Sequence, residues 1–256
     1  MSTFGGSMDE RSFQTKVATS SRDVLSFYDD YASTWDERFG DSPANAHFHA
    51  TRLNTLLALA RFAPSDKAVE LGVGTGAYLS EIAPRVARLL AVDGSAGMLD
   101  VLKRKHPQLM NIDVLQCDLE QPLQAADVNA DIVYWFGLLE HIIEVPVFLD
   151  NCRRMLKPGG RIVLVAPNGR CPWYSGLRRF LRAGAHCSTD HYYTPEQCDR
   201  LMAEHGFMRD GLVYWGYAPA GLNSRLYGLL TLLGRFVDAT PLRRYAGGMT
   251  VSYSLS

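Results

Sequence analysis

The sequence predicts an α/β protein built on a doubly wound, mostly parallel sheet of seven strands, with N-terminal helices and a helical cap inserted between the last two strands. Short apolar runs of strand length recur along the chain, segments of helical periodicity separate them, and a glycine-rich turn follows the first run. Strands that are apolar throughout are typical of a parallel sheet covered by helices on both faces.

The composition is that of a globular protein with a full hydrophobic core. The chain has 256 residues, of which 47% are hydrophobic. Its 26 basic and 27 acidic residues give a net charge of −1, so no overall field favours nucleic acid or an anionic membrane. Five scattered cysteines without a Cys-x-x-Cys pair argue against disulfides or zinc and indicate a cytoplasmic setting. No apolar run is long enough to predict a transmembrane segment.

The elements follow in order after a polar stretch, residues 1–20, that we expect to be disordered. Apolar residues at helical spacing predict helices between residues 21 and 65. Ser95 is the expected N-cap of one later helix, and Thr194 with Pro195 starts another. Strands are expected in "AVELG", "RLLAVD", "NIDVLQCD", "ADIVYWFG", "GGRIVLVAPN", "GLVYWGY" and "MTVSYSLS", and helices in "AYLSEIAPRV", "SAGMLDVLKRKH" and "VPVFLDNCRRML".

Three alternate glycines, Gly72, Gly74 and Gly76, follow the first core strand. In a doubly wound sheet this turn lies at the carboxyl edge, where bare backbone lets a ligand approach closely. A tight turn without a ligand is the simpler alternative. The spacing also matches a dinucleotide fingerprint, with Asp93 about 20 residues on, so a nicotinamide-dependent oxidoreductase is the second alternative.

Carboxylates around the turn favour a cationic ligand. Glu70 precedes the glycines, and Asp118 ends the third strand. These charges would repel a pyrophosphate and attract the ammonium of an amino-acid moiety.

The motifs "VELGVGTG", "AVDGSAGML", "CDLE", "FGLLEHI" and "LKPGGRIVLVAPN" occur in this order. With them, the chain from about Tyr28 to its end resembles the class I S-adenosylmethionine-dependent methyltransferases, in particular the branch that acts on small molecules. The resemblance implies a Rossmann-like methyltransferase fold, S-adenosylmethionine as cofactor, a small-molecule acceptor and no nucleic-acid partner.

The resemblance also implies roles for individual residues. The turn from Gly72 to Gly76 would pack under the methionine and ribose, with Glu70 fixing the methionine end and Asp93 accepting from both ribose hydroxyls. A surface acid at Glu70 and a helix-capping role for Asp93 are the alternatives. The adenine and sulfonium would lie beside Ser95, Met98, Asp118, Leu119 and Phe136, although Met98 equally suits the core.

Two histidines are candidate catalytic bases for an acceptor that must lose a proton. His141 lies in "LLEHI" at the end of the fourth strand, and His191 lies in "STDHYYTPEQ". An imidazole titrates near neutrality, as a general base requires. A packing role for His141 is the alternative. Tyr192 and Tyr193 are expected to face the acceptor, as is Tyr28.

His47 and His49, in "NAHFHA", have no third ligand at a recognisable spacing, so we expect no metal site.

The expected organisation is a helical lid over the cofactor at residues 21–65, a core at 66–217 and 248–256, and a cap at 218–247. We expect the leucines of the cap to roof the acceptor pocket; contact with another subunit or weak contact with a membrane surface are the alternatives. The oligomeric state is left open. The predicted function is methyl transfer to a small aromatic or lipophilic acceptor, and a catalytically silent cofactor-binding scaffold is the alternative from another class.

Overall fold

The computed structural model describes residues 15–39, 42–123, 128–172, 186–189, 191–217 and 224–255. The strands are β1 (Thr15–Val17), β2 (Lys67–Leu71), β3 (Arg88–Asp93), β4 (Ile112–Gln116), β5 (Ala130–Phe136), β6 (Leu156–Pro167), β7 (His186–Ser188), β8 (Phe207–Trp215) and β9 (Gly248–Leu255). The α-helices are α1 (Ser21–Tyr31), α2 (Pro43–Ala60), α3 (Leu79–Ile82), α4 (Ala96–Lys105), α5 (Val145–Met155), α6 (Pro195–Glu204) and α7 (Ser224–Asp238). The 3₁₀-helices used below are Ala32–Phe39, Ala83–Arg85, Leu139–His141 and Pro241–Tyr245.

Seven strands form one sheet in the order β4-β3-β2-β5-β6-β9-β8. Pairing is parallel from β4 to β6, and β9 runs antiparallel to both β6 and β8. The chain builds outward from β2 to β4 and then returns to place β5 on the other side of β2. This reversal opens a crevice at the carboxyl ends of β2 and β5, where such sheets bind ligands. The predicted fold class is confirmed, including the cap helix between the last two strands.

The central strand β5 shows why the sheet is covered on both faces. Val133 and Trp135 belong to one hydrophobic cluster, whereas Ile132 and Tyr134 belong to the other. All four are fully buried. Alternate residues point to opposite faces of a strand, so a run that is apolar throughout needs helices on both sides.

The residues that start two of the helices were predicted correctly. The Ser95 hydroxyl accepts from the Met98 N–H and caps α4. Thr194 and Gln197 form a reciprocal capping box at the start of α6. The helix predicted in "AYLSEIAPRV" is shorter than expected, because the α-helix ends at Ile82 and a 3₁₀ turn containing Pro84 follows.

The disorder expected through residue 20 is wrong at its C-terminal end. Thr15–Val17 forms β1, which pairs in parallel with His186–Ser188 in a separate two-stranded sheet. The N–H of Ala18 extends this pairing by donating to the carbonyl of Ser188. Residues 1–14 lie outside the described part of the chain. This small sheet tethers the start of α1 to the segment that precedes α6.

Within the described residues, no helix is both long and apolar enough to cross a bilayer.

Candidate active site

A cavity of about 330 Å³ lies at the carboxyl edge of the sheet, between the ends of β2 to β5 and the helix α1. Most of the predicted site residues line it. These are Tyr28, Glu70, Gly72, Gly74, Asp93, Met98, Asp118, Leu119, Phe136 and His141. The described lining does not include Gly76, Ser95, His191, Tyr192 or Tyr193.

The glycine turn presents open backbone to this cavity at Gly74. Its φ is +55°, and a Cβ added there would meet no atom within 4 Å. Gly72 has a φ of +63°, and an added Cβ would come within 2.7 Å of the Leu138 side chain. Gly76 differs, because its Cβ would clash with Leu79 rather than enter the cavity. Gly74 therefore leaves space for a ligand, whereas Gly76 serves the packing of α3.

Asp93 is held against the turn by backbone donors. The N–H of Gly74 donates to its Oδ2 at 2.7 Å, and the N–H of Ser95 donates to Oδ1 at 2.9 Å. Burial raises the pKa of Asp93, and these hydrogen bonds oppose that rise. Ser95 is fully buried and caps α4, which explains why it does not reach the cavity.

Glu70 is a buried carboxyl beside the glycine turn. It is 3% exposed, and the hydroxyl of Tyr134 donates to it at 2.9 Å. Burial raises the pKa of Glu70 to about 8, the hydrogen bond from Tyr134 lowers it, and the nearby Asp93 carboxylate raises it further. A cation bound in the cavity would favour the ionised form of Glu70.

Helix α1 covers the cavity and is fastened to the sheet by polar contacts. The Ser21 hydroxyl donates to Asp118 at 3.0 Å. Asp29 accepts from the Ser95 hydroxyl at 2.5 Å and from the Gly97 N–H at 3.0 Å. The second contact places a carboxylate at the N-terminus of α4, where the helix dipole favours negative charge.

The His141 ring lies at the cavity wall with a defined tautomer. Its Nδ1 is 2.6 Å from the carbonyl oxygen of Cys187 in β7. Because a carbonyl only accepts, Nδ1 carries the proton, and Nε2 keeps a lone pair. The Tyr28 hydroxyl lies 3.5 Å from both ring nitrogens. This arrangement suits a proton acceptor.

A group of residues on α2 and the glycine turn also lines the cavity and was not predicted from the sequence. Arg52 contributes the one Arg or Lys side chain among the described lining residues. Its guanidinium carbon lies 5.5 Å from the ring centroids of both Phe48 and Phe136 and 6.0 Å from that of Tyr78. Its buried Nε has no hydrogen-bond partner within the described structure. The signal was present in the sequence, since Arg52 is the one Arg, Lys, Asp or Glu in α2.

His49 is part of the same wall. Its Nδ1 lies 2.7 Å from the Tyr78 hydroxyl. Burial lowers the pKa of His49 to about 4, and the charge of Arg52 lowers it further. The described residues contain no cluster of three His, Cys, Asp or Glu side chains suited to a metal ion.

The segment His191–Tyr193 lies away from the cavity, contrary to expectation. The backbone of Tyr192 packs closely on Gly169. A Cβ added at Gly169 would lie 2.1 Å from the carbonyl oxygen of Tyr192. Tyr193 packs against one of the two large core clusters, and the exposed His191 ring lies edge-on to it at 4.4 Å. The sequence predicted correctly that this segment lies at the carboxyl edge of the sheet. It did not predict the direction in which the side chains point.

The predicted roof of cap leucines is also absent from the described structure. No residue between 224 and 247 lines the cavity. Helix α7 packs instead on α2, where Tyr227 and Leu230 contact Ala44. Residues 218–223 lie outside the described part of the chain.

Known proteins match this chain in sequence and in fold. A family model described as "Methyltransferase domain" matches residues 69–164. The ubiquinone biosynthesis O-methyltransferase of Acinetobacter baylyi is 27% identical over 133 residues, which are 51% of this chain and 56% of that relative. The biotin biosynthesis bifunctional protein BioHC of Cellvibrio japonicus is 31% identical over 93 residues, which are 36% of this chain and 18% of that relative. The matched regions thus span from about a fifth to just over half of these curated relatives.

A solved structure shows the same fold along almost the whole chain. The N-methyltransferase NodS of Bradyrhizobium japonicum, in complex with S-adenosyl-L-homocysteine, superposes with a TM-score of 0.63 at 16% identity, covering 91% of this chain and 98% of that chain. The oxidoreductase alternative is not favoured by these comparisons. Residues 69–164 thus match a methyltransferase domain, and together with the ordered motifs and the seven-stranded sheet this match supports a class I S-adenosylmethionine-dependent methyltransferase with S-adenosylmethionine as its cofactor.

Proposed function

We propose that the protein transfers the methyl group of S-adenosylmethionine to a small organic acceptor with an aromatic or lipophilic body. One observation carries the proposal: a buried carboxyl, an open glycine turn and a guanidinium whose buried Nε has no hydrogen-bond partner among the described residues face the same cavity. Glu70, Gly74 and Arg52 supply these three features.

The charges match the amino-acid end of the cofactor. Glu70 would bind the ammonium group, because an adjacent cation compensates the cost of ionising a buried carboxyl. Arg52 would bind the carboxylate in the charge-assisted geometry that guanidinium groups favour. Asp93 lies across the glycine turn from Glu70 and would accept from the ribose hydroxyls.

The walls beside this end favour an aromatic or lipophilic acceptor. Phe136 stacks on Tyr78 with ring centroids 4.1 Å apart, and Tyr28 lies edge-on to Trp35 at 5.1 Å. Trp215 closes another side of the cavity. Aromatic walls with few polar anchors exclude water and bind apolar molecules.

Glu70, Gly74, Asp93 and Arg52 would hold the cofactor, which would supply an electrophilic methyl group on a sulfonium for attack by an acceptor lone pair, with the sulfur leaving as the thioether. The residues of this chain align the acceptor and keep water out. When the acceptor carries a hydroxyl, its proton passes to Nε2 of His141, since Nδ1 is bonded to the Cys187 carbonyl. The Tyr28 hydroxyl lies over the same ring and would orient the acceptor.

Calorimetric titration with S-adenosylhomocysteine, 5′-methylthioadenosine, NAD and NADP tests the cofactor site. S-adenosylhomocysteine should bind, NAD and NADP should not, and Arg52→Met should weaken S-adenosylhomocysteine about tenfold or more through loss of a charged hydrogen bond. Binding of 5′-methylthioadenosine, which lacks the amino-acid end, should stay unchanged in that variant. The exposed Arg104 supplies the control Arg104→Met. An equal loss of affinity for S-adenosylhomocysteine and 5′-methylthioadenosine, or no loss for either, would contradict the assignment of Arg52.

Turnover with a panel of phenols, catechols and aromatic amines tests the acceptor side. We expect formation of S-adenosylhomocysteine with at least one acceptor; none with any would favour a silent scaffold. His141→Ala should lower turnover on a hydroxyl acceptor by roughly 10²- to 10⁴-fold without changing cofactor affinity. His191→Ala is the matched control and should stay active, because that ring is exposed outside the cavity.

A further inference from the structure

Helix α7 and the 3₁₀-helix that follows it present large apolar side chains to solvent. The most exposed on α7 is Phe236, at 71%. We call this group the cap surface; it consists of Leu229, Leu232, Leu233, Phe236, Leu242 and Tyr245, each more than 40% exposed. These side chains lie outside the hydrophobic core, so packing within the fold does not explain why they are apolar.

The cap surface is the outward face of a helix whose inward face is already packed. Tyr227 is buried, and its ring lies edge-on to that of His47 on α2 at 5.8 Å. An added Cβ at Gly234 would lie 2.5 Å from the ring of Tyr217, whose hydroxyl also donates to Asp238. The apolar residues of α7 recur three and four positions apart, which places them on one face opposite these contacts.

The charge around the cap surface differs from that of the whole chain. Residues 224–245 contain four arginines and one aspartate, a formal charge of +3, whereas the whole chain carries −1. Arg243 and Arg244 are exposed and adjacent, and the guanidinium of Arg244 lies 5.0 Å from the ring centroid of Tyr245. An apolar face bordered by arginines and an aromatic ring is complementary to an anionic lipid surface.

The position of the cap surface connects it with the cavity. Helix α7 packs on the first turns of α2, at Ala44 and His47. The next turns of α2 carry His49 and Arg52, which line the cavity. A surface that contacts the cap would therefore lie beside the helix that walls the site.

We propose that the cap surface docks on an anionic lipid bilayer, with α7 lying in the plane of the interface. A second copy of the chain fits less well. A symmetric dimer through this face would bring the arginines of one copy towards those of the other, and like charges at an interface are unfavourable. The helix is amphipathic and basic, as interfacial helices are, and its apolar side chains stand ready to enter the acyl boundary.

Flotation of the full-length protein with lipid vesicles tests the proposal. The protein should float with vesicles of phosphatidylcholine and phosphatidylglycerol and stay behind with pure phosphatidylcholine. The double variant Leu232→Gln/Phe236→Gln should lose at least about tenfold in partitioning, because it removes the two apolar anchors. Met110→Gln/Met208→Gln is the matched control, since both methionines are exposed elsewhere. Arg243→Gln/Arg244→Gln should lose about fivefold per arginine, and Arg104→Gln/Arg200→Gln should lose less.

Affinity for S-adenosylhomocysteine should be unchanged in each variant, which confirms folding independently of lipid binding. The proposal is wrong if the wild-type protein does not float with anionic vesicles, or if the cap and control variants float equally. Light scattering adds a third outcome. A stable dimer that the Leu232→Gln/Phe236→Gln variant converts to monomer would assign the cap surface to a second copy of the chain instead.

Discussion

The lid helix α1 and the cap helix α7 look alike as sequences but differ in how they meet the sheet. Both carry apolar and aromatic residues at helical spacing. Helix α1 is fastened over the cavity by Ser21 and Asp29, and its Tyr28 lines the cavity wall. Helix α7 packs on α2, contributes no described residue to the cavity and leaves Leu229, Leu232 and Leu233 exposed to solvent.

The difference shows that an amphipathic pattern predicts a helix but not the surface that it covers. On α1, short polar side chains meet orphan N–H groups and a carboxylate at the sheet edge, and these directional bonds define one docking position. Helix α7 is held by apolar packing on α2 and by a side-chain hydrogen bond from Tyr217 to Asp238. Helix α1 therefore forms part of the cavity wall, whereas the described residues of α7 lie outside the cavity.

The largest expected effect lies beneath the lid. Gly74→Val places a side chain in the cavity at a φ of +55°, so S-adenosylhomocysteine affinity should fall by about 100-fold or more. Calorimetric titration checks this. Gly159→Val is the control for backbone strain, because Gly159 has a φ of +74° and open space around it but lies outside the cavity. Gly228→Val on the cap helix should bind normally; a loss there would break the distinction between lid and cap.

A smaller effect should follow pH. Glu70 has a raised pKa of about 8, so between its ordinary value of 4.5 and that value the folded protein retains a proton that the unfolded chain releases. The stability of the ligand-free protein should therefore fall as pH rises through this window. Affinity for a cationic ligand should rise from pH 6 to 8, by at most about tenfold per pH unit.

Thermal unfolding and titration across this pH range check both slopes. Glu70→Gln should flatten them, and Asp238→Asn on the cap should leave them as in the wild type. A pH-independent affinity in the wild-type protein would show that Glu70 does not meet the ligand's charge.

Weakening the contacts of α1 should lower the affinity for S-adenosylhomocysteine by about fivefold, whereas weakening those of α7 should leave it unchanged. Asp29→Ala removes the acceptor for Ser95 and Gly97, so the lid should open more often and S-adenosylhomocysteine should bind about fivefold more weakly. Hydrogen exchange in residues 21–31 should accelerate at the same time. Tyr217→Phe releases the cap by removing its bond to Asp238 and should leave affinity unchanged. Equal effects of both variants would show that cap and lid close the site together.

The smallest expected effects concern stability. Leu25→Gln on the lid should lower the free energy of unfolding by about 1 to 2 kcal/mol, because this side chain packs so closely on Gly94 that an added Cβ would lie within 2.4 Å of it. Leu232→Gln on the cap should change it by less than about 0.5 kcal/mol, since that leucine is 52% exposed. Urea unfolding measures both. A large loss at Leu232 would indicate a packed partner for the cap surface.

The sequence by itself determined the sheet, its strand series and the edge of the sheet that carries the cavity. Alternation, caps and glycine turns act over a few residues, so Gly74, Asp93 and the N-cap Ser95 could be placed on their elements before any packing was known. The parallel order then brought Glu70, Asp118 and His141 to one edge, because the carboxyl ends of parallel strands meet there.

Only the tertiary structure decided which side chains face the cavity. His141 takes its tautomer from the carbonyl of Cys187, which is 46 residues away, and Arg52 faces the site because α2 packs beside the glycine turn. Tyr193 packs against the core, and Leu229, Leu232 and Leu233 of the cap point to solvent. The direction of a side chain depends on contacts distant along the chain, and a pattern that repeats every three or four residues holds no information about the surface that it will meet.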